Sequence, residues 1–361
     1  MSAVILAAKR SAVCPSGGAF KHCSIEALGA PVIWSLLDAA GVAAEEVDEL
    51  ILGNALGAGG NPARRVALAA GLSEHVAGLT IDRQCTSGLD ALRIAAAMVE
   101  SGQARVVIAG GLESHSTRPI RAARDTGMVY EQARFTPWID RDPDMAEAAA
   151  ALAERHGISR QRADAYAVES HAKALAARAR LADEILPIAG AADDHFTRIL
   201  SPRTAARARP VAGSVSAANM AVSADGAGLC LVAAARPGTQ ALARIIAADT
   251  LGADPLEPGL SALPAIASVL DRAGLGANDL TCIDLMEAFA VQAIATIEVA
   301  GFDPNRVNPA GGALARGHPI GASGAIGAVR AVQEIRRTRG PVLAAIPAAG
   351  GIGSAAILTP A

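Results

Sequence analysis

Two stretches of the sequence hold residues that could do chemistry together. In Gln84-Cys85-Thr86-Ser87-Gly88-Leu89, a cysteine comes after the short apolar run Leu79 to Ile81 and precedes an alanine-rich helical segment, Leu89 to Val99. A thiol at such a strand-to-helix turn faces the first, unpaired N–H groups of the helix. Their partial positive charge favours thiolate and can hold a developing oxyanion. In Gly317-His318-Pro319-Ile320-Gly321-Ala322-Ser323-Gly324, a histidine sits in a glycine-dense turn just before another helix. An imidazole beside a helix-start thiol makes an ion pair or an activated thiol, the arrangement needed for nucleophilic acyl transfer. A lone cysteine is more often a small buried apolar side chain. The case for Cys85 therefore depends on whether the chain brings His318 to it.

The pattern of elements says that it does. Ala3 to Ala8 and Val47 to Leu52 read as strands, and Ser24 to Ala40 as a helix ended by Gly41. Asn61-Pro62-Ala63-Arg64 opens a further helix, with Asn61 as N-cap and Pro62 suited to the first helical position. With Leu79 to Ile81, the helix after Cys85 and the strand Ala104 to Ala109, strand alternates with helix, the pattern of a sheet covered on both faces. A second copy lies further along the chain. Leu36-Leu37-Asp38-Ala39-Ala40-Gly41 is echoed by Val269-Leu270-Asp271-Arg272-Ala273-Gly274, and the strand after each keeps its spacing. Ser87-Gly88 and the turn Ala109-Gly110-Gly111-Leu112-Glu113-Ser114 are echoed by Ser323-Gly324 and Ala349-Gly350-Gly351-Ile352-Gly353-Ser354. Several echoes in one order indicate a duplicated unit. Pseudo-twofold packing of the copies places Cys85 and His318 across the axis from each other.

The charge-rich stretch from Arg118 to Pro210 interrupts the first copy. It contains helices Met145 to His156 and Arg160 to Ala179, and Arg198, Arg203, Arg207 and Arg209, which could meet phosphates. A long insertion of this kind is more often a lid or substrate-binding subdomain than filler.

Composition fits a large buried core and excludes several classes. Of 361 residues, 52% are apolar but only 2% aromatic, so Ala, Val, Leu and Ile must build that core. A net charge of −3 with no basic block gives no support for nucleic acid as a partner. The five cysteines are scattered and odd in number, suggesting neither a disulfide framework nor a metal site and pointing to a reducing cytoplasm. No apolar run reaches membrane-spanning length, and Met1 to Ala7 reads as a strand rather than a leader.

Over nearly its whole length the sequence resembles the thiolases. The stretches that carry the resemblance are Arg83 to Leu89, Ala109 to Ser114, His156 to Arg160 with Asp183-Glu184-Ile185, Gly213 to Asn219 before Asp225-Gly226-Ala227, Glu287-Ala288-Phe289-Ala290, and Gly317 to Gly324. The resemblance implies an α/β fold of two duplicated βαβαβαββ halves with an inserted loop domain. The first half would be residues 1–117 plus 211–238, the insertion (coenzyme A binding and oligomerisation) 118–210, and the second half 239–361. It further implies Cys85 as nucleophile, His318 as its base, and the N–H groups of Cys85 and Ala349 as an oxyanion hole. Arg198 and the Val215 to Asn219 segment, with Ser216, Ala217 and Asn219, would contact the coenzyme A portion of a thioester substrate. A homodimer or tetramer is implied, with no separate cofactor and no metal.

Two positions depart from the family. Its second active-site cysteine falls on Pro347, which has no titratable group. The asparagine of its Asn-Glu-Ala-Phe motif, which holds a water, is Met286. His318 could serve both proton transfers, and Glu287 or His115 could lie near enough to compensate, which sequence position alone does not show. The sequence therefore predicts acyl-cysteine formation from an acyl-CoA or acyl-carrier thioester, with ordinary condensation or thiolysis of acetoacetyl-CoA impaired. Its alternatives are a catalytically impaired coenzyme A-binding or scaffold subunit, a decarboxylating or carrier-protein-dependent condensing enzyme, and an ordinary acetyl-CoA acetyltransferase with compensated proton transfer.

Overall fold

The computed structural model describes residues 2–235, 238 and 240–361. The boundary expected between residues 238 and 239 falls among Arg236, Pro237 and Thr239, which lie outside the described residues. Strands of the first half run in the order Leu79–Ile81, Glu49–Gly53, Val106–Glu113, Ala224–Ala234, Ala3–Ser11. The second half repeats the order as Cys282–Leu285, Val342–Ala348, Ile352–Thr359, Ala243–Gly252. Antiparallel pairing of Val4 with Arg244 and Ile5 with Ala243 joins the two. In each half the innermost crossover is parallel, Glu49–Gly53 beside Val106–Glu113 and Cys282–Leu285 beside Val342–Ala348. The short strand Leu79–Ile81 has a reduced counterpart, a single parallel bridge from Ile283 to Val307.

Local sequence explains the helix ends. Ser24 Oγ accepts from Ala27 N ahead of helix Ile25–Ala40, and Gly41 closes that helix in the left-handed region at φ 62°. Asn61 caps Pro62–Ala69 as expected, accepting from Arg64 N.

The two helices that matter lie between the sheet halves. Ser87–Glu100, the cysteine helix, and Ile320–Thr338, the histidine helix, share one core with strands of both halves, through Leu89, Leu92, Val329 and Val332 against Ile5, Val107, Val342 and Ile346. They touch backbone to backbone. A Cβ on Gly88 would stand 2.8 Å from Ala325 N, and one on Gly324 2.8 Å from Leu89 N, so only glycine permits this approach. Helices Ile25–Ala40 and Ala262–Ala273 cover the outer faces, each over its own apolar cluster.

One sequence expectation fails here. Ala109 to Ser114 is not a turn: Val106–Glu113 is strand throughout, paired with Gly226–Ala233. Its glycines serve proximity instead, since a Cβ on Gly111 would collide with Gly321 O, at the start of the histidine helix. The structural counterpart of this strand is Val342–Ala348, and the Ala349–Gly351 turn has no equivalent in the first half.

The insertion contributes helices Met145–Arg155 and Arg160–Leu181, which pack on Ala290–Ala300 of the second half. Arg10, fully buried on the first strand, fastens the far end of this segment with bonds to Glu184 (2.6 Å) and, bidentate, to Asp194 (2.8 and 2.9 Å).

Candidate active site

Cys85 and His318 meet. The sulfur lies 3.2 Å from His318 Nε2, at the floor of a cavity of about 210 Å³. Cys85 is presented by a tight turn in which Gln84 adopts φ 55°, a conformation that costs a non-glycine residue energy and persists where the surroundings enforce it. Ser87 Oγ accepts from Arg83 N and donates to Gln84 O, which fixes that turn. Behind it, fully buried Asp90 accepts from Ser354 Oγ at 2.8 Å and from Thr250 Oγ1, tying the cysteine helix to the opposite sheet half.

His318 is held just as firmly. Its backbone N–H donates to Val222 O at 2.8 Å. Its Nδ1 is 2.7 Å from Ser323 Oγ, and the Ser323 hydroxyl lies 3.1 Å from Pro319 O. Since a carbonyl can only accept, the serine proton points to Pro319 and its oxygen receives Nδ1–H. That leaves Nε2 without a proton, aimed at the thiol.

The electrostatics set a neutral resting pair. Burial pushes the Cys85 thiol up to about 12, against the lowering effect of N–H groups from Ala349 and Cys85 itself. Burial, then the Arg316 charge, brings His318 down to about 4. At neutral pH the site therefore holds thiol and imidazole rather than the thiolate the helix start alone suggested, because desolvation outweighs the helix-start N–H groups. Glu113 is also raised, to about 7, chiefly by burial; its carboxyl accepts from Ala55 N and Gly321 N, both at 2.9 Å, and so ties the Asn54 loop to the histidine helix.

Buried thiols also make stability depend on pH. Cys85, Cys230 and Cys282 are all raised to about 12, mainly by burial. A thiol whose folded pKa exceeds its unfolded one stabilises the fold fully below the unfolded value of about 8.5 and loses that contribution as pH rises towards the folded one. Stability measured by urea unfolding is expected to fall by several kcal/mol between about pH 8.5 and 11. A flat profile over that window would contradict this assignment.

Known proteins match the chain in two adjoining parts. The thiolase N-terminal domain family model matches residues 3–236, and the thiolase C-terminal domain model matches residues 239–360. The chain belongs to the thiolase family. It is 37% identical over 350 residues to an acetyl-CoA acetyltransferase of Shinella zoogloeoides, covering 89% of both chains. The crystal structure of the Bacillus anthracis acetyl-CoA acetyltransferase superposes with a TM-score of 0.93 at 32% identity, over 100% of this chain and 99% of that one. Acat5 thiolase from Ascaris suum, solved in complex with coenzyme A, gives the same TM-score at 27% identity with 100% of each chain covered.

Within this thiolase-family chain, the other expected site residues divide. Ala349 reaches the cavity, and its backbone N–H favours the ionised form of the Cys85 sulfur. Pro347 forms part of the cavity wall beside Cys85 and His318. Met286 does not: it is buried behind the histidine helix and faces a separate small void. Glu287 is also absent from the cavity. Its carboxylate accepts from Ser170 Oγ (2.7 Å), Asn308 Nδ2 (2.6 Å), Tyr166 Oη (3.2 Å) and Leu314 N (3.2 Å), so it braces the loop ahead of His318 against helix Arg160–Leu181. His115 lines a different surface cavity, bonded to Ser16 Oγ at 3.2 Å and to Arg118.

The expected coenzyme A contacts divide in the same way. Arg198 and Ala217 line an open cavity of about 450 Å³ together with Arg203, Arg207 and Arg209. Ser216 and Asn219 turn inward, both bonded to Asp164, and shape the loop from within. Cavity residues that sequence reasoning missed are Gln132, Phe135 and Met145 of the insertion and Gln292 of helix Ala290–Ala300. No local signal marks them, because sites contributed from distant segments have no sequence spacing to read. Among the described residues no group of His, Cys, Asp and Glu is arranged to hold a metal, and no helix is long and apolar enough to cross a membrane.

Proposed function

We propose that this thiolase-family chain transfers acyl groups from acyl-CoA thioesters by way of an acyl-cysteine on Cys85. The observation that carries the reading is the 3.2 Å approach of a deprotonated Nε2 to the Cys85 sulfur at a cavity that Ala349 also lines. The thiol attacks the thioester carbonyl as its proton passes to His318 Nε2. Negative charge develops on the carbonyl oxygen, and the N–H groups of Cys85 and Ala349 are the donors for it, an effect of about 3–4 kcal/mol per donor in comparable sites. Collapse of the intermediate expels the coenzyme A thiolate, which takes the proton back from Nε2. Residues 118–210 act as the coenzyme A-binding insertion in this reading, with the nucleotide phosphates at Arg198 and its neighbours.

Pro347 limits the fate of the acyl group. Condensation or thiolysis of acetoacetyl-CoA needs a proton moved at the substrate's α-carbon, and the cavity wall offers proline there. Neither Glu287 nor His115 faces that position. Intact mass spectrometry after incubation with acetyl-CoA is expected to show an added acetyl group that is absent in Cys85→Ala. No adduct on the wild type, or one that persists in the variant, overturns acylation of Cys85. Fast coenzyme A-dependent cleavage of acetoacetyl-CoA overturns the restriction at Pro347.

A further inference from the structure

A small void of about 10 Å³ adjoins Ser323, the partner of His318 Nδ1. Its walls include Arg316, Asp284, Met286 and Ser323. Arg316 is 5% exposed and Asp284 7%, yet no direct ion pair links them and neither side chain has a hydrogen-bond partner among the described residues. Buried charges without partners are costly, so the space between them needs a polar occupant. The void is at the lower limit for one water, and three polar side chains converge on it, as an internal water requires. Ser323 is also the acceptor of His318 Nδ1–H.

We propose that Arg316 and Asp284 flank a single buried water that reaches Ser323, and that this assembly holds His318 as the neutral Nδ1–H tautomer. Arg316 is thus a positioning residue, acting on the base through charge and through Ser323. The proposal rests on His318 being the base for Cys85.

Charged groups face this assembly from several sides. Arg316 disfavours protonation of His318, as does His115 from the end of strand Val106–Glu113. Asp284 is raised to about 6, by burial first, with Arg316 and Arg330 lowering it and Glu184 and Glu287 raising it. Asp194 also feels Arg316, though it is engaged by Arg10. On the other side of the imidazole, Glu113 and Asp82 act on Cys85.

The test is an NMR pH titration of ring-¹³C-labelled histidine, with the His318 resonance assigned by its loss in His318→Gln. Arg316→Met is expected to raise the His318 pKa by on the order of one unit. Arg316→Lys, which keeps the charge, should stay near the wild type. No shift in Arg316→Met, or an equal shift in Arg316→Lys, would overturn the proposal. Recovery of the wild-type value in Arg316→Lys separates a charge effect from general loosening of the fold. Because the readout needs no turnover, an absent acyl adduct would sink the acyl-transfer reading and leave this result standing.

Discussion

Acylation of Cys85 in a His318→Ala variant is expected to be slower than in the wild type by roughly 10²–10⁴-fold, the usual contribution of a positioned general base. The resting thiol is pushed up to about 12, so at neutral pH the sulfur is protonated and must lose its proton during attack. Among the described residues, Nε2 at 3.2 Å is the group placed to take it. Stopped-flow measurement of coenzyme A release from acetyl-CoA tracks this step. A second signature separates the base from a structural role: the variant's residual rate should climb with pH across the whole range to about 10, as free thiolate accumulates. A variant within about threefold of the wild type at pH 7 would mean another group accepts the proton.

Arg10→Met is expected to destabilise the fold by about 3–5 kcal/mol, the cost of leaving buried carboxylates without their cation. The side chain is fully buried and serves Glu184 and Asp194 together. Glu184 retains Arg330 after the substitution, whereas Asp194 loses a bidentate partner and keeps Val13 N–H. The loss should therefore appear first where Asp194 lies, at the end of the insertion. Urea unfolding gives the total, and hydrogen exchange around residues 183–195 tests its location. A change below about 1 kcal/mol would mean that the network relaxes without Arg10.

Local roles were the most legible in the sequence. Ser24, Gly41, Asn61 and Pro62 act on backbone groups within a few residues of themselves, so their roles could be read directly. The duplicated order of elements was also legible, and from it the meeting of Cys85 with His318. Glu287 was misjudged because its partners, Ser170 and Asn308, lie on segments far away in the chain. The glycines of Ala109 to Ser114 looked like a turn because glycine marks both sharp bends and close approach, and only packing decides between them. Neutrality of the thiol–imidazole pair was hidden for the same reason, since burial is a property of the assembled fold.

The seam at Gly88 and Gly324 determines how this molecule would fail. Cys85 and His318 belong to different copies of the duplicated unit, and their separation is set by two helices whose backbones approach at Gly88 and Gly324. A small extra volume at that seam acts like a wedge, separating sulfur from nitrogen while each sheet half keeps its own core. Chemistry is therefore the most sensitive gauge of the seam: mild heating or a single added methyl group should silence the site while the circular dichroism signal still reports a folded protein.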